Sequence, residues 1–373
     1  LEAYLHYSLL ILLQIAFVVQ LYYLWVVQHR FITYKIPQVV YASHQKVSVI
    51  ICARNEAYNL ERNLPFIFNQ KGIDYEVVVV NDCSSDQSEE ILRMFQAQYP
   101  NLKVVVKEEH PRFKTGKKFA VTLGIKAASH EILVFTDADC KPASDYWLVN
   151  ICEHYLHPQT EIVLGFSPYE KKAGFLNKLI RYETFQTALN YFSFSLSGDA
   201  YMGVGRNLSY KKSLFFKGKG FAAHMHIPSG DDDLFVNQNA TATNTAIEIR
   251  PETFMLSEPK LTWASYWNQK IRHLGAGKLY KASHQKSLSM QAISAISFYA
   301  FLIACYVFQI EVLIISILLF LRFLAQIFIF YKAMLRLHSK DLIYWAFILD
   351  FFYYLYLVIL SIRGLFRKKI VWK

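Results

Sequence analysis

The chain has 373 residues, of which 54% are hydrophobic, 16% aromatic and only 18% charged. Soluble domains carry about 25% charged residues, so the composition excludes a disordered tail and a wholly cytosolic enzyme; there is room for one substantial soluble domain beside a membrane part. Forty basic against 29 acidic residues give a net charge of +11, which points to cytoplasmic basic flanks and anionic headgroups; no basic, aromatic-interleaved motif points to nucleic acid.

Residues 8–27 form an uncharged apolar run of 20, the length that spans about 30 Å of hydrocarbon. It lacks a basic n-region and a small-residue cleavage site and reads as a retained anchor. Arg30 and Lys35 follow it, placing the next domain in the cytoplasm.

From residue 46 to 280 short β-branched runs alternate with amphipathic stretches: KVSVIICA, a helix from about Ala57, DYEVVVVND, a helix from about Asp86, LKVVVKE, then HEILVFTDAD. Such alternation predicts buried parallel strands in an α/β sheet, with ligands at the strands' C-terminal ends. The tips read Ala53-Arg54-Asn55-Glu56, Asn81-Asp82 and Asp137-Ala138-Asp139. No G-x-G-x-x-G follows the first strand, and Lys114-Thr115-Gly116-Lys117-Lys118 is too short for a P-loop, which argues against dinucleotide and P-loop sites.

Asp137 and Asp139 emerge where a buried strand ends, two residues apart and on one side of an extended chain. Hard oxygen ligands suit Mg²⁺ or Mn²⁺, although acidic turn caps are common. Gly230-Asp231-Asp232-Asp233 places three carboxylates side by side; a solvated helix cap would tolerate them, and a general base among them is the functional reading. Trp267-Asn268-Gln269-Lys270-Ile271-Arg272-His273 has the aromatic and basic character of a juxtamembrane stretch. Residues 171–194 mix Lys171, Lys172, Lys178 and Arg181 with Phe175, Leu179 and Phe185, as a helix lying in the interface would; residues 211–220 offer a second basic, aromatic contact.

Apolar runs follow at 292–310, 312–331 and 342–363. Three spans after a cytoplasmic domain put the C-terminus outside, whereas the basic tail from Arg363 favours the inside; a re-entrant or interfacial segment reconciles the two. Arg322 and Asp350 fall about 12–14 Å deep in their runs, and such isolated charges are expected to pair. Cys52, Cys83, Cys140, Cys152 and Cys305 are scattered and odd in number, which argues against a disulfide framework or zinc site and for buried thiols in a reducing compartment.

Taken in order, Asn55-Glu56, Asp82, Asp137-x-Asp139, Asp231-Asp232 and Gln269-x-x-Arg272-His273 resemble the motifs of membrane-bound family 2 glycosyltransferases. The resemblance covers residues 46–280 and implies an inverting enzyme of GT-A fold, the Rossmann-like nucleotide-sugar-binding α/β class. The implied organisation is an anchor at 1–35, a cytoplasmic catalytic domain at 46–280 and a membrane domain of two to four segments at 281–373, in the inner or plasma membrane.

By that resemblance Asp82 receives uracil, helped by Ala53–Glu56, and Asp137 contacts ribose or diphosphate. Asp139, with Asp137, holds a divalent metal, Mg²⁺ or Mn²⁺. Lys117 or Lys118 lies near the nucleotide. Asp232 is the base, with Asp231 in place of a glutamate and Asp233 an extra acid. Gly205 and Asn207, in Gly203-Val204-Gly205-Arg206-Asn207, flank the acceptor side; Gln269, Arg272 and His273 complete the binding set, Arg272 offsetting diphosphate charge. His273 replaces the family's tryptophan, which puts the acceptor type in question. The implied activity is a metal-dependent hexosyl transfer from a UDP-sugar. Four apolar segments are few for a polysaccharide pore, which favours a lipid or lipid-linked acceptor, as in ceramide glucosyltransferase-like members. An oligomeric processive synthase and a catalytically silent scaffold are the alternatives.

Overall fold

The computed structural model describes residues 2–36, 45–107, 116–225, 227, 229–273 and 275–365. The basic tail beyond Leu365, Lys114 and Thr115, and the side chain of His273 lie outside the described part. The chain divides into two compact units. One gathers the N-terminal stretch to Tyr34, Ala173–Ser193 and the chain from Lys281 onward; the other gathers Lys35–Lys172 and Phe194–Tyr280.

The second unit is built on buried strands. β1 (Lys46–Ala53), β2 (Asp74–Asp82), β3 (Leu102–Lys107) and β4 (Ile132–Asp137) are the expected apolar runs. Val77, Val78, Val79 and Val80 are all fully buried, because helices cover both faces of a parallel sheet and no residue of the run is left for water. Short strands follow: β5 (Cys140–Pro142), β6 (Ile162–Leu164), β7 (Leu208–Lys211), β8 (Thr245–Ile247) and β9 (Met255–Ser257). Among the described residues the main sheet has seven strands in the order β3-β2-β1-β4-β7-β6-β8, and β5 pairs with β9 apart from it. β3, β2, β1 and β4 are parallel, and β7 enters antiparallel to both β4 and β6. Because β2 and β4 flank β1 on opposite sides, the crossovers diverge there. A crevice therefore opens at the C-terminal ends of β1 and β4, where Cys52 stands beside Asp137 in the register.

Helices Ala57–Phe68, Ser88–Gln98 and Lys117–Ala127 connect these strands. The last packs close: a Cβ at Gly124 would lie 2.7 Å from Ile50 Cγ2, so only hydrogen fits beneath that helix.

In the first unit, four helices among the described residues are long and apolar enough to cross a membrane: Tyr4–Thr33, Ala282–Val307, Val312–Arg336 and Lys340–Arg363. The N-terminal helix includes a wider π-type turn at Tyr23–Gln28. Leu13, Ala16, Phe298, Leu302 and Ile315 form an apolar core, while Ile15, Val18, Ile303 and Leu313 are exposed, a surface suited to lipid rather than water. The helix expected at 171–194 is Phe175–Leu196, and its residues through Ser193 group with this unit. There Phe185 and Leu179 are buried, Arg181 holds Asp341 through two hydrogen bonds of 2.8 and 2.7 Å, and Lys178 Nζ sits 3.6 Å from the Trp345 ring centre.

The expected charge pair is present. Arg322 Nη2 donates to Asp350 Oδ2 at 2.9 Å, with both side chains essentially inaccessible. Tyr182 and Tyr299 donate to the same carboxylate at 3.0 and 2.7 Å, and Gln20 and Gln326 accept from the guanidinium at 3.3 and 3.1 Å. Removing one partner strands the other. Asp350→Asn or Arg322→Gln alone should each destabilise by about 3–5 kcal/mol, and the double variant should cost clearly less than the sum. Thermal unfolding in lipid nanodiscs reads this, and strict additivity would contradict the coupling.

Candidate active site

The tips of β1 and β2 are stitched together by short polar side chains. Asn55 takes a left-handed backbone (φ 56°), a conformation asparagine tolerates. Its Oδ1 accepts from the Ser85 amide at 2.8 Å, and its own amide donates to Ser84 Oγ at 3.0 Å. The Glu56 amide donates to Ser88 Oγ and the Ala57 amide to Asp86 Oδ2, each at 3.0 Å. Burial raises the Glu56 carboxyl above its usual range, and the charges of Asp139 and Asp137 add to the rise. Asp82, at the end of β2, is buried and accepts from Lys107 on the neighbouring β3.

Lys117 and Lys118 open the helix Lys117–Ala127, the end at which the helix dipole disfavours cations. Their partners explain them. Lys117 Nζ donates to Asp137 Oδ1 at 2.7 Å and lies 3.5 Å from Asp231 Oδ2. Burial alone would lower the Lys117 ammonium, but Asp137, Asp231 and Asp232 hold it well above its ordinary value. Burial likewise would raise Asp137, yet Lys117, with the charges of Arg206 and Arg272, holds it below the usual carboxylate range. Lys118 Nζ is spent on the backbone carbonyls of His224 and Ile227, at 2.6 and 3.2 Å.

Asp232 caps the short helix Asp233–Asn239. Its Oδ1 accepts from the Asp233 amide at 2.8 Å, and its Oδ2 accepts from the Gly205 amide at 2.7 Å. A Cβ at Gly205 would meet that Oδ2 at 3.2 Å, so the glycine permits the close approach. Burial raises the Asp232 carboxyl, and neighbouring Asp231 adds to it. Burial and Asp232 together push Asp233 up to about 7, against a Tyr280 hydroxyl that donates to its Oδ2 at 2.8 Å. Lys117, Asp137, Gly205, Asp231 and Asp232 line one cleft together with Ile50, Cys52 and Tyr210.

The remaining expected residues divide. Asp139 is half-buried, and among the described residues its carboxylate accepts the Cys140 thiol at 3.3 Å. No cluster of three or more His, Cys, Asp or Glu ligands occurs among the described residues, so a cation there would depend on oxygens brought by a ligand. Asn207 is fully buried, its carboxamide filled by Trp147, Phe166 and Thr253 at 2.8–2.9 Å; it fixes the turn and has nothing left for a ligand. Gln269 Nε2 donates to the Tyr169 hydroxyl at 3.3 Å, and the charge of Arg272 reaches Asp137. His273 ends the helix Trp263–His273. Tyr169 and Tyr280 carried no signal in the sequence, because each meets its partner across roughly 50 to 100 residues of chain with no fixed spacing.

Fold and site together define a GT-A-type α/β domain on a chain that also has helices long and apolar enough to cross a membrane. A family model described as "Glycosyl transferase family 2" matches residues 48–216, so this stretch of the chain carries a domain similar to that family. Glycosyltransferase AglE of Haloferax volcanii is 38% identical over 104 residues, 27% of this chain and 33% of that protein. The 4,4'-diaponeurosporenoate glycosyltransferase of Staphylococcus haemolyticus is 32% identical over 125 residues, 34% of this chain and 32% of that protein. The chain thus aligns with about a third of the length of these curated relatives. Among solved structures, mannosyltransferase PcManGT from Pyrobaculum calidifontis, in complex with GDP-Man and Mn²⁺, superposes with a TM-score of 0.61 over 98% of this chain and 100% of that one, at 18% identity. That likeness is one of fold.

The raised Asp233 carboxyl has a consequence for stability. An acid whose native pKa lies above its unfolded one favours the native state in its protonated form. The contribution is complete below about 3.8 and is lost as the pH rises through about 7. Wild-type melting temperature should fall between pH 5 and pH 8 by an increment that Asp233→Asn lacks, as measured by parallel thermal unfolding of the two proteins.

Proposed function

We propose that the protein is an inverting glycosyltransferase that moves a sugar from a UDP-sugar to a lipid or lipid-linked acceptor at the cytoplasmic membrane face. The observation that carries this reading is the meeting of Asp137, Lys117, Asp231 and Asp232 in one cleft at the divergence of β1 and β4, where α/β sheets bind nucleotides. The family supplies the reaction class. Uridine rests on the resemblance of the Asp82 and Asp137-x-Asp139 motifs, and the lipid acceptor on the four apolar helices.

In this reading the nucleotide lies across the β1 and β2 tips, with its diphosphate near Asp137. Lys117 and Arg272 are the cations placed to offset charge on the departing diphosphate. Asp139, assisted by Asp137, would hold a divalent cation, which when bound offsets further diphosphate charge; the Asp139 oxygen not bonded to the Cys140 thiol would serve that task, with diphosphate oxygens completing the set. Asp232 takes the proton of the acceptor hydroxyl, the acceptor oxygen bonds to the anomeric carbon, and the bond from that carbon to the diphosphate oxygen breaks. One displacement inverts the centre. The raised Asp232 carboxyl suits a base, since a more basic carboxylate accepts the proton more readily. The two amides on its oxygens aim it. Basic residues Arg30 and Lys35 after the first span support the cytoplasmic side.

Incubating the purified protein in native lipid with a panel of UDP-sugars and Mg²⁺ or Mn²⁺, then weighing the lipids, tests the reading. One added sugar per lipid supports it. A ladder of long products would indicate a processive synthase, and no transfer from any donor would leave a silent scaffold. Asp232→Asn should reduce turnover about 10²–10⁴-fold while nucleotide affinity stays within a few-fold, and surviving transfer would displace Asp232 as base. Chelating the divalent ion should stop transfer; activity that persists without metal would remove the role given to Asp139.

A further inference from the structure

Arg206 stands in a turn that both neighbours pin. The Gly205 amide is tied to Asp232 Oδ2 at 2.7 Å, and the Asn207 side chain is locked by three hydrogen bonds. Between them the Arg206 guanidinium lies over the Tyr169 ring, 4.3 Å from its centre, and Nη2 donates to the Ser167 carbonyl at 3.2 Å. Nη1 is buried and has no hydrogen-bond partner among the described residues. A buried, charged N–H left without an acceptor costs free energy, and here the group is held in place rather than free to turn toward water.

The surroundings indicate what completes it. The guanidinium acts on both Asp137 and Asp139, so it stands near the edge where the diphosphate of the proposed donor would lie. Its own turn touches Asp232, the proposed base. The transferred sugar must bridge those two places, with its anomeric carbon attached to the diphosphate and open to the activated acceptor. We propose that Arg206 binds the transferred sugar, its free Nη1 taking a sugar oxygen, and that it thereby helps to select the donor. This rests on the glycosyl-transfer reading. The planar fork of arginine suits either a pair of hydroxyls or a carboxylate, so hexoses and hexuronates share the required chemistry. Tyr169, whose hydroxyl accepts from Gln269 at 3.3 Å, would position the guanidinium rather than touch the sugar.

Titration calorimetry on the full chain in nanodiscs separates the cases, with UDP and GDP each tested alone, carrying a hexose and carrying a hexuronate. In Arg206→Gln the affinity for the bare nucleoside diphosphate should stay within about twofold, while affinity for the matching sugar nucleotide falls at least about tenfold, the loss of one hydrogen bond to a charged group. The retained diphosphate affinity shows that the variant is folded. Arg206→Lys, which keeps the charge without the fork, should restore binding of a hexuronate in part and that of a neutral hexose little. Equal weakening of the bare and sugar-bearing nucleotides, or no weakening of either, would overturn the inference and leave glycosyl transfer standing. A wild type that binds no nucleotide would overturn the transfer reading and this inference together.

Discussion

Carboxylates from separate parts of the chain converge on one sheet edge, and that edge can exist only because buried cations stand among them. Two like charges 4 Å apart repel by about 4 kcal/mol at an effective dielectric of about 20. Lys117 sits between Asp137 on β4 and Asp231 just before the helix Asp233–Asn239, and so joins a strand-tip acid to a loop acid. Lys107 on β3 pairs with Asp82 at the end of β2. The cluster remains acidic beyond what these lysines offset. Part of the excess is relieved at Asp233, whose carboxyl is pushed up to about 7, and the charges of Arg206 and Arg272 reach Asp137 as well.

The same arrangement fixes how the adjacent acids are held. Asp232 is at once a helix cap and the anchor of the Gly205 turn, so its carboxylate is oriented by backbone amides that do not titrate. Asp233 is oriented through a tyrosine hydroxyl instead. Adjacent acids of similar sequence context thus differ in what holds them, and the difference follows from which direction each side chain leaves the start of one short helix.

The parallel strands were legible in the sequence to within a residue or two, because a strand buried on both faces must be written as an unbroken apolar run, and KVSVIICA and EVVVV are such runs. The D-x-D tip, the triple acid and the Arg322–Asp350 pair were legible for a related reason: charges where burial is expected need partners. What could not be read was which partner. Nothing in the spacing joins Lys117 to Asp231, Tyr280 to Asp233 or Tyr169 to Gln269, since long-range pairings leave no periodic trace. Lys118 and Asn207 carried motif positions yet serve backbone carbonyls and a buried tryptophan, which only packing reveals. A helix over 171–194 was legible as a basic, aromatic stretch suited to the interface, but its grouping with the apolar helices depends on Phe185, Leu179 and the Arg181–Asp341 contact.

That grouping changes what counts as a part of this protein. The chain leaves the sheet-bearing unit after Lys172, spends Ala173–Ser193 among the apolar helices and returns at Phe194, before supplying the acidic loop and the helix that carries Arg272. The sheet-bearing half is consequently not a bead that trimming two ends would release. A fragment from 35 to 280 would carry in its middle a helix severed from its aromatic packing partners, with Arg181 deprived of Asp341 and Tyr182 of Asp350. Insolubility of such a fragment would reflect how the chain is threaded, not any weakness in the seven-stranded sheet.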